Sequence, residues 1–237
     1  AHGPRRTLTA TGVLGSAEAS PFVRFEDVSV LTARISVLLT QGRAREALRL
    51  ALSVETSSEQ DRSGFGAHAL ALGAEAAAYL GDENAARFLE SRHRETPERA
   101  AGILRPNSEA ALGAAALIVG EAGAAASVHH SATELARDGL FGAAVRVAHA
   151  GLRVADPTCA EFVTEWAPRT TGEVCAVFGE HGAALATGDA HRLSNTAERY
   201  LRLGFTVHAI EALVQAASLG AEQQIDDLAG AALSRAR

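Results

Sequence analysis

Lysine and methionine are absent from all 237 residues. The first absence removes several chemistries at once. A Walker A phosphate loop needs a lysine on the nucleotide phosphates, Schiff-base cofactors need a lysine amine, and the protein-kinase site pairs a lysine with ATP. The missing methionine, on a chain that starts AHGPRR, predicts a piece of a longer protein. No apolar segment follows that start, so an uncleaved secretory precursor is not expected. Cysteine is scarce too. Cys159 and Cys175 fall far short of a disulfide framework and fit a reducing cytosol as two small buried thiols. The most apolar run, AALGAAALIVG at 110–120, spans 11 residues and ends at Glu121. A membrane span needs about 20, so none is expected.

Positive charge is in deficit, with a net charge of −6. A nucleic-acid grip normally needs a clustered basic face. Here Arg43, Arg45 and Arg49, then Arg87, Arg92 and Arg94, then Arg199 and Arg202 each stand near glutamate or aspartate, the pattern of a solvated helix face. Trp166, Tyr79, Tyr200 and eight phenylalanines are few for a base-stacking surface and suit plugs between helices.

What is abundant is alanine, 52 residues of it, beside 22 arginines. High-GC codon usage and helix propensity account for part of that. Helical spacing dominates from Glu26 on. In EDVSVLTARISVLLTQG, Val28, Leu31, Ile35, Leu38 and Leu39 fall on one stripe, and REALRLALSV repeats the pattern with Ala47, Leu48, Leu50 and Leu52. No period-two alternation competes with it. The chain is predicted to be all-α.

Turn signals recur at regular intervals. They fall at Gly42, Gly81, Gly123, Ala155-Asp156-Pro157, Gly188 and Gly220, spaced by 39, 42, 33, 32 and 32 residues. Glycine tolerates the positive φ that closes a helix, and Asp82, Asp156 and Asp189 stand where they would cap the next one. A second set of breaks lies at Ser57–Gly64, Thr96–Asn107, Asp138-Gly139, Pro168–Thr171 and Gly204. The result is a tetratricopeptide-like (TPR-like) α-solenoid of about six antiparallel helix pairs, at 26–55, 64–94, 108–138, 140–168, 171–203 and 205–236. Residues 1–24 are expected to be a linker or docking segment ahead of a helical-repeat domain over 26–237. Ala74, Ala77, Ala184, Ala212 and Ala216 would let neighbouring backbones approach closely. The first helices of the pairs, about 26–41, 64–80, 108–122, 140–154, 171–187 and 205–219, would line a concave wall.

No catalytic signature emerges. GFGAHALALGAE at 64–75 lacks a preceding strand, and there is no HExxH and no CxxC. His68, His93, His149, His181, His191 and His208 stand apart in the sequence, and His129-His130 point about 100° apart on a helix. All are expected on helix surfaces or partly buried. Asp82-Glu83 and Asp226-Asp227 fit helix starts or exposed faces. No catalytic residue, metal ligand or cofactor is assigned, and the binding residues stay unassigned.

DGLFGAAVRVAHAGLRVADP (138–157) and ALATGDAHRLSNTAERYLRLGFTVHAIEALVQAASL (184–219) resemble a recurrent segment of large actinobacterial LuxR-type transcriptional regulators. In that family a helical-repeat region sits between an N-terminal MalT-like, STAND-type ATPase and a C-terminal LuxR helix-turn-helix. The family often has an acidic residue after the histidine that matches His149. Here Ala150 stands there, so no role is carried onto it. The resemblance implies a non-catalytic sensor and interaction domain in the cytoplasm. It would bind a protein partner or small-molecule effector on its concave face and control the neighbouring ATPase and DNA-binding domains. LSN at 193–195 hints at a DNA reader, but the next helix, TVHAIEALVQAASL, has no arginine to contact phosphate or guanine. Neither nucleic acid nor a membrane is expected as a direct partner. A plain spacer, a free-standing scaffold for a protein partner, and an all-α enzyme without a readable motif are the competing readings.

Overall fold

A computed structural model describes residues 25–55, 64–96 and 104–222. Eleven α-helices fill these residues, with no strand among them: α1 (Phe25–Thr40), α2 (Ala44–Glu55), α3 (Phe65–Tyr79), α4 (Glu83–Arg94), α5 (Arg105–Ile118), α6 (Ala124–Arg137), α7 (Phe141–Leu152), α8 (Pro157–Trp166), α9 (Glu173–Ala186), α10 (Ala190–Arg202) and α11 (Thr206–Glu222). The 1–24 segment, Asp226-Asp227 and the helix expected to end near residue 236 lie outside the described residues.

The predicted caps form. Asp82 accepts from the Ala85 amide at 3.0 Å, Asp156 from Cys159 at 2.8 Å and Asp189 from Arg192 at 2.9 Å. Each satisfies one of the amides that a helix start leaves without a carbonyl. Gly81 and Gly188 precede two of these caps at φ +71 and +62. Ala155 holds the same place before Asp156 at φ +58, the left-handed region that costs a Cβ-bearing residue about 1–2 kcal/mol.

Two boundaries and one buried face differ from expectation. Gly220 does not end a helix, because α11 runs through it to Glu222. No capping residue follows Gly220, whereas Asp follows Gly81 and Gly188. The break expected to reach Asn107 ends earlier, since Pro106 fits the first turn of α5. On α2 the fully buried stripe is Ala47, Ala51 and Val54, while Leu48, Leu50 and Leu52 are half-buried. Close approach explains the preference for alanine: a Cβ built on Gly73 would stand 2.6 Å from the Ala51 Cβ. Ala74, Ala77, Ala184, Ala212 and Ala216 are each completely buried, as their spacing predicts.

Consecutive helices pack against one another, α4 and α5 excepted, and the odd-numbered helices also touch one another in succession from α1 to α9. The last described helix, α11, comes back against the first, α1. Near that junction a Cβ on Gly42 would reach the Val207 side chain at 3.5 Å. The odd-numbered helices therefore face a shared interior. No described helix is long and apolar enough to cross a membrane.

Candidate functional site

The interior holds a cavity of about 320 Å³. Every residue lining it belongs to an odd-numbered helix or sits at the end of one, as Arg153 does after α7 and Phe205 before α11. Its wall is apolar at Leu72, Val174, Phe178 and Phe205, and polar at His68, Glu75, Arg146, His149, Arg153 and His208. In the sequence these polar residues lie in three separate stretches, 68–75, 146–153 and 208. The fold converges them.

Arg146, His149 and Arg153 occupy one stripe of α7 and the residue just after it, in steps of three and four. Arg153 donates through Nη1 to Glu75 Oε1 of α3 at 2.7 Å and through Nε to Glu211 Oε2 of α11 at 3.0 Å. Its side chain is 8% exposed and sits over the Tyr79 ring, 5.2 Å from the centroid. The Tyr79 hydroxyl donates to Glu211 Oε1 at 2.8 Å. One guanidinium thus faces two carboxylates. Burial works against its charge, yet Glu75 and Glu211 together hold it above its usual pKa. Burial raises both carboxylates, and Arg153 only partly draws them back. Glu211 also takes the Tyr79 hydroxyl bond. No protein donor reaches the second oxygen of Glu75 among the described residues, so Glu75 is the carboxylate in excess.

A hydrogen-bonded chain backs the same wall. Gln215 Nε2 donates to the Leu152 carbonyl at 2.7 Å, which turns Gln215 Oε1 toward His181 Nε2, also at 2.7 Å. An amide oxygen only accepts, so His181 carries its proton on Nε2 and leaves Nδ1 bare. The Tyr200 hydroxyl, 3.0 Å away, donates to that nitrogen and in turn accepts from His149 Nε2 at 2.9 Å. His149 Nδ1 is then a bare acceptor on the far edge of the ring, and no protein donor among the described residues reaches it. The polarity of the whole chain is set by one backbone carbonyl.

Aromatic stacking holds these rings in place. His149 lies flat on Phe178, centroids 3.6 Å apart and 14° from parallel. His208 packs 4.9 Å from His149 and 5.3 Å from Phe205. Among the described residues, His208 Nδ1 is the one side-chain nitrogen or oxygen that is both wholly shut off from solvent and without a hydrogen-bond partner. Glu211 Oε2 is 3.5 Å from it, too far for a good bond. Burial holds His149 and His208 well below the usual histidine pKa, lowers His181, and puts His68 at about 4. Burial likewise pushes the Tyr200 hydroxyl well above its ordinary value and the Cys159 thiol up to about 12.

The expectation of histidines on surfaces or partly buried is corrected at His68, His149 and His181, which are buried. It holds for His93, His129, His130 and His191. A signal was present. His149 falls among Val145, Ala148 and Leu152, and His181 among Val177, Phe178 and Ala184, so each lies on the apolar stripe of its helix. Tyr200 is an inter-helix plug as expected, but one that also ties two histidines together. Among the described residues no group of three or more His, Cys, Asp or Glu could hold a metal ion. On α11, Glu211 and Gln215 point inward, bonded to Arg153 and to His181 of α9, and His208 lines the cavity. Compared with known proteins, the chain matches no protein family, no curated protein and no solved structure.

Proposed function

We propose that this chain is the effector-sensing domain of a larger LuxR-type, MalT-like regulator, built as a TPR-like solenoid of about six helix pairs. The observation that carries the reading is the cavity, because residues leading from every odd-numbered helix meet there. An occupant would touch α1, α3, α5, α7, α9 and α11 at once. Binding would then tighten the stack as a whole and pass a change in helix packing to neighbouring domains. The resemblance of 138–157 and 184–219 to the family's repeat region supports that role.

The chemistry of the site favours binding over turnover. A general base works best with a pKa near the operating pH. Here the cavity histidines are held too low to take up a proton readily, and the buried hydroxyl and thiol are held too high to lose one. The inward-facing polar residues of α11 favour a regulator that does not touch DNA through this segment. Its place in the cell would be the cytoplasm, with the ATPase and helix-turn-helix domains as covalent neighbours.

Reading the full gene tests the proposal. The expected reading frame encodes a nucleotide-binding ATPase before this segment and a LuxR helix-turn-helix after it. A frame with neither overturns the regulator and leaves a free-standing scaffold.

A further inference from the structure

Beside His208 Nδ1, which stands 3.5 Å from Glu211 Oε2, two groups of the cavity wall are acceptors that no described donor reaches. His149 is 3% exposed, lines the cavity, and presents Nδ1 as a bare acceptor. Glu75 is 8% exposed, lines the same cavity, and has one oxygen that no described donor reaches. Both line the one cavity, Glu75 from α3 and His149 from α7. Glu75 is bonded to Arg153, which follows His149 by one helical turn, a rise of about 6 Å. The two hydroxyls of the wall are committed elsewhere: Ser36 donates to the Thr32 carbonyl and Thr40 to the Val37 carbonyl. At this point the wall needs donors, and it carries a carboxylate that half of one guanidinium leaves undercompensated.

A molecule that meets both needs brings hydrogen-bond donors and a positive charge. An ammonium group does so with three N–H donors and one charge. The apolar lining beside these groups, at Leu72, Val174, Phe178 and Phe205, suits a hydrocarbon body. Arg146, at the other end of the α7 stripe and exposed, repels a second positive charge, which argues against diamines. We propose that the cavity binds a small primary monoamine with an apolar body, its ammonium group bonded to Glu75 and His149. This deepens the reading of the cavity as the effector site and rests on it.

Calorimetry on the full 237-residue chain tests the inference with three probes that share one body: phenethylamine, phenethyl alcohol and hydrocinnamate. The amine is expected to bind about tenfold or more tightly than the alcohol, the worth of one charge-assisted hydrogen bond, and hydrocinnamate more weakly still. Glu75→Gln should erase the preference for the amine over the alcohol. Ala110→Leu, at a partly exposed wall position, fills the cavity without touching a polar group and should weaken both, with the helical circular dichroism unchanged. The proposal falls if the alcohol or hydrocinnamate binds as tightly as the amine, if Glu75→Gln keeps the preference, or if no probe binds. Binding of the amine by a chain whose gene encodes no ATPase would sink the regulator and keep the site. A flanking ATPase with no amine binding would do the reverse.

Discussion

The N-terminal helices α1–α4 and the C-terminal helices α7–α11 follow the same hairpin plan, but their interiors are filled differently. The first core is mainly aliphatic, with Thr32, His68 and Glu75 its buried polar residues: Ile35, Leu38, Ala47, Ala51, Val54, Leu70 and Leu89 are each at most 4% exposed. The second buries His149, His181 and Tyr200 among its valines and alanines. An aliphatic core constrains volume alone. A core with imidazoles and a phenol also constrains proton positions, since every buried donor and acceptor lost costs free energy. The second core thus fixes orientation as well as volume.

Acid should break this comparison most strongly. The unfolded chain protonates its histidines below about 6.5, whereas folded His68 resists until about 4. The stability contribution of a depressed histidine is complete above the unfolded pKa and is lost as pH falls through that window, about 3 kcal/mol for His68 alone. His149, His181 and His208 shift in the same direction. Glu75 and Glu211, raised by burial, work oppositely and lose stability as pH rises above the usual carboxylate range. Thermal melts across pH 4–7 are expected to show a steep loss of stability toward acid. A His68→Gln variant should keep most of it, because three of the four histidines lie in the C-terminal helices. A flat profile would contradict the buried network.

Next in size is the ion triad. Arg153→Met leaves two buried carboxylates without their cation and should cost about 3–5 kcal/mol in denaturant unfolding. Leu89→Ala in the aliphatic core, a cavity of ordinary kind, should cost about 2–5 kcal/mol. Raising pH should deepen the first loss and leave the second unchanged, which separates electrostatics from packing. Tyr200→Phe keeps the ring and deletes the hydroxyl that two histidines share, for an expected loss of about 1–3 kcal/mol. An unchanged unfolding midpoint would mean that the chain of bonds from Leu152 to His149 does not matter. The smallest effect runs the other way: Ala155→Gly relieves a left-handed alanine and should gain up to about 1 kcal/mol.

Much of the fold was legible because its signals are local. Asp82, Asp156 and Asp189 cap helices through amides three residues away, so their spacing in the chain is their geometry. Gly220 misled because a glycine stops a helix only when the following chain supplies an alternative, and here none follows. The site was much less legible. His149, His181 and Tyr200 sit on apolar stripes, which marks them as buried without saying what they meet. Glu75, Arg153 and Glu211 are 78 and 58 residues apart, and nothing in their surroundings announces a shared ion pair.

By itself the sequence determined that this protein is helical, where most of its helices begin and end, and which chemistries its missing lysine forbids. Those properties depend on neighbours within a turn or two, and the code for them is written along the chain. Only the tertiary structure decided that the odd-numbered helices share one interior, that an arginine there answers two carboxylates, and that a bare imidazole nitrogen is left facing a cavity. Such properties arise from the angles at which successive hairpins stack and bring α11 back to α1. Those angles come from many alanine contacts summed together, and no single residue spells them out.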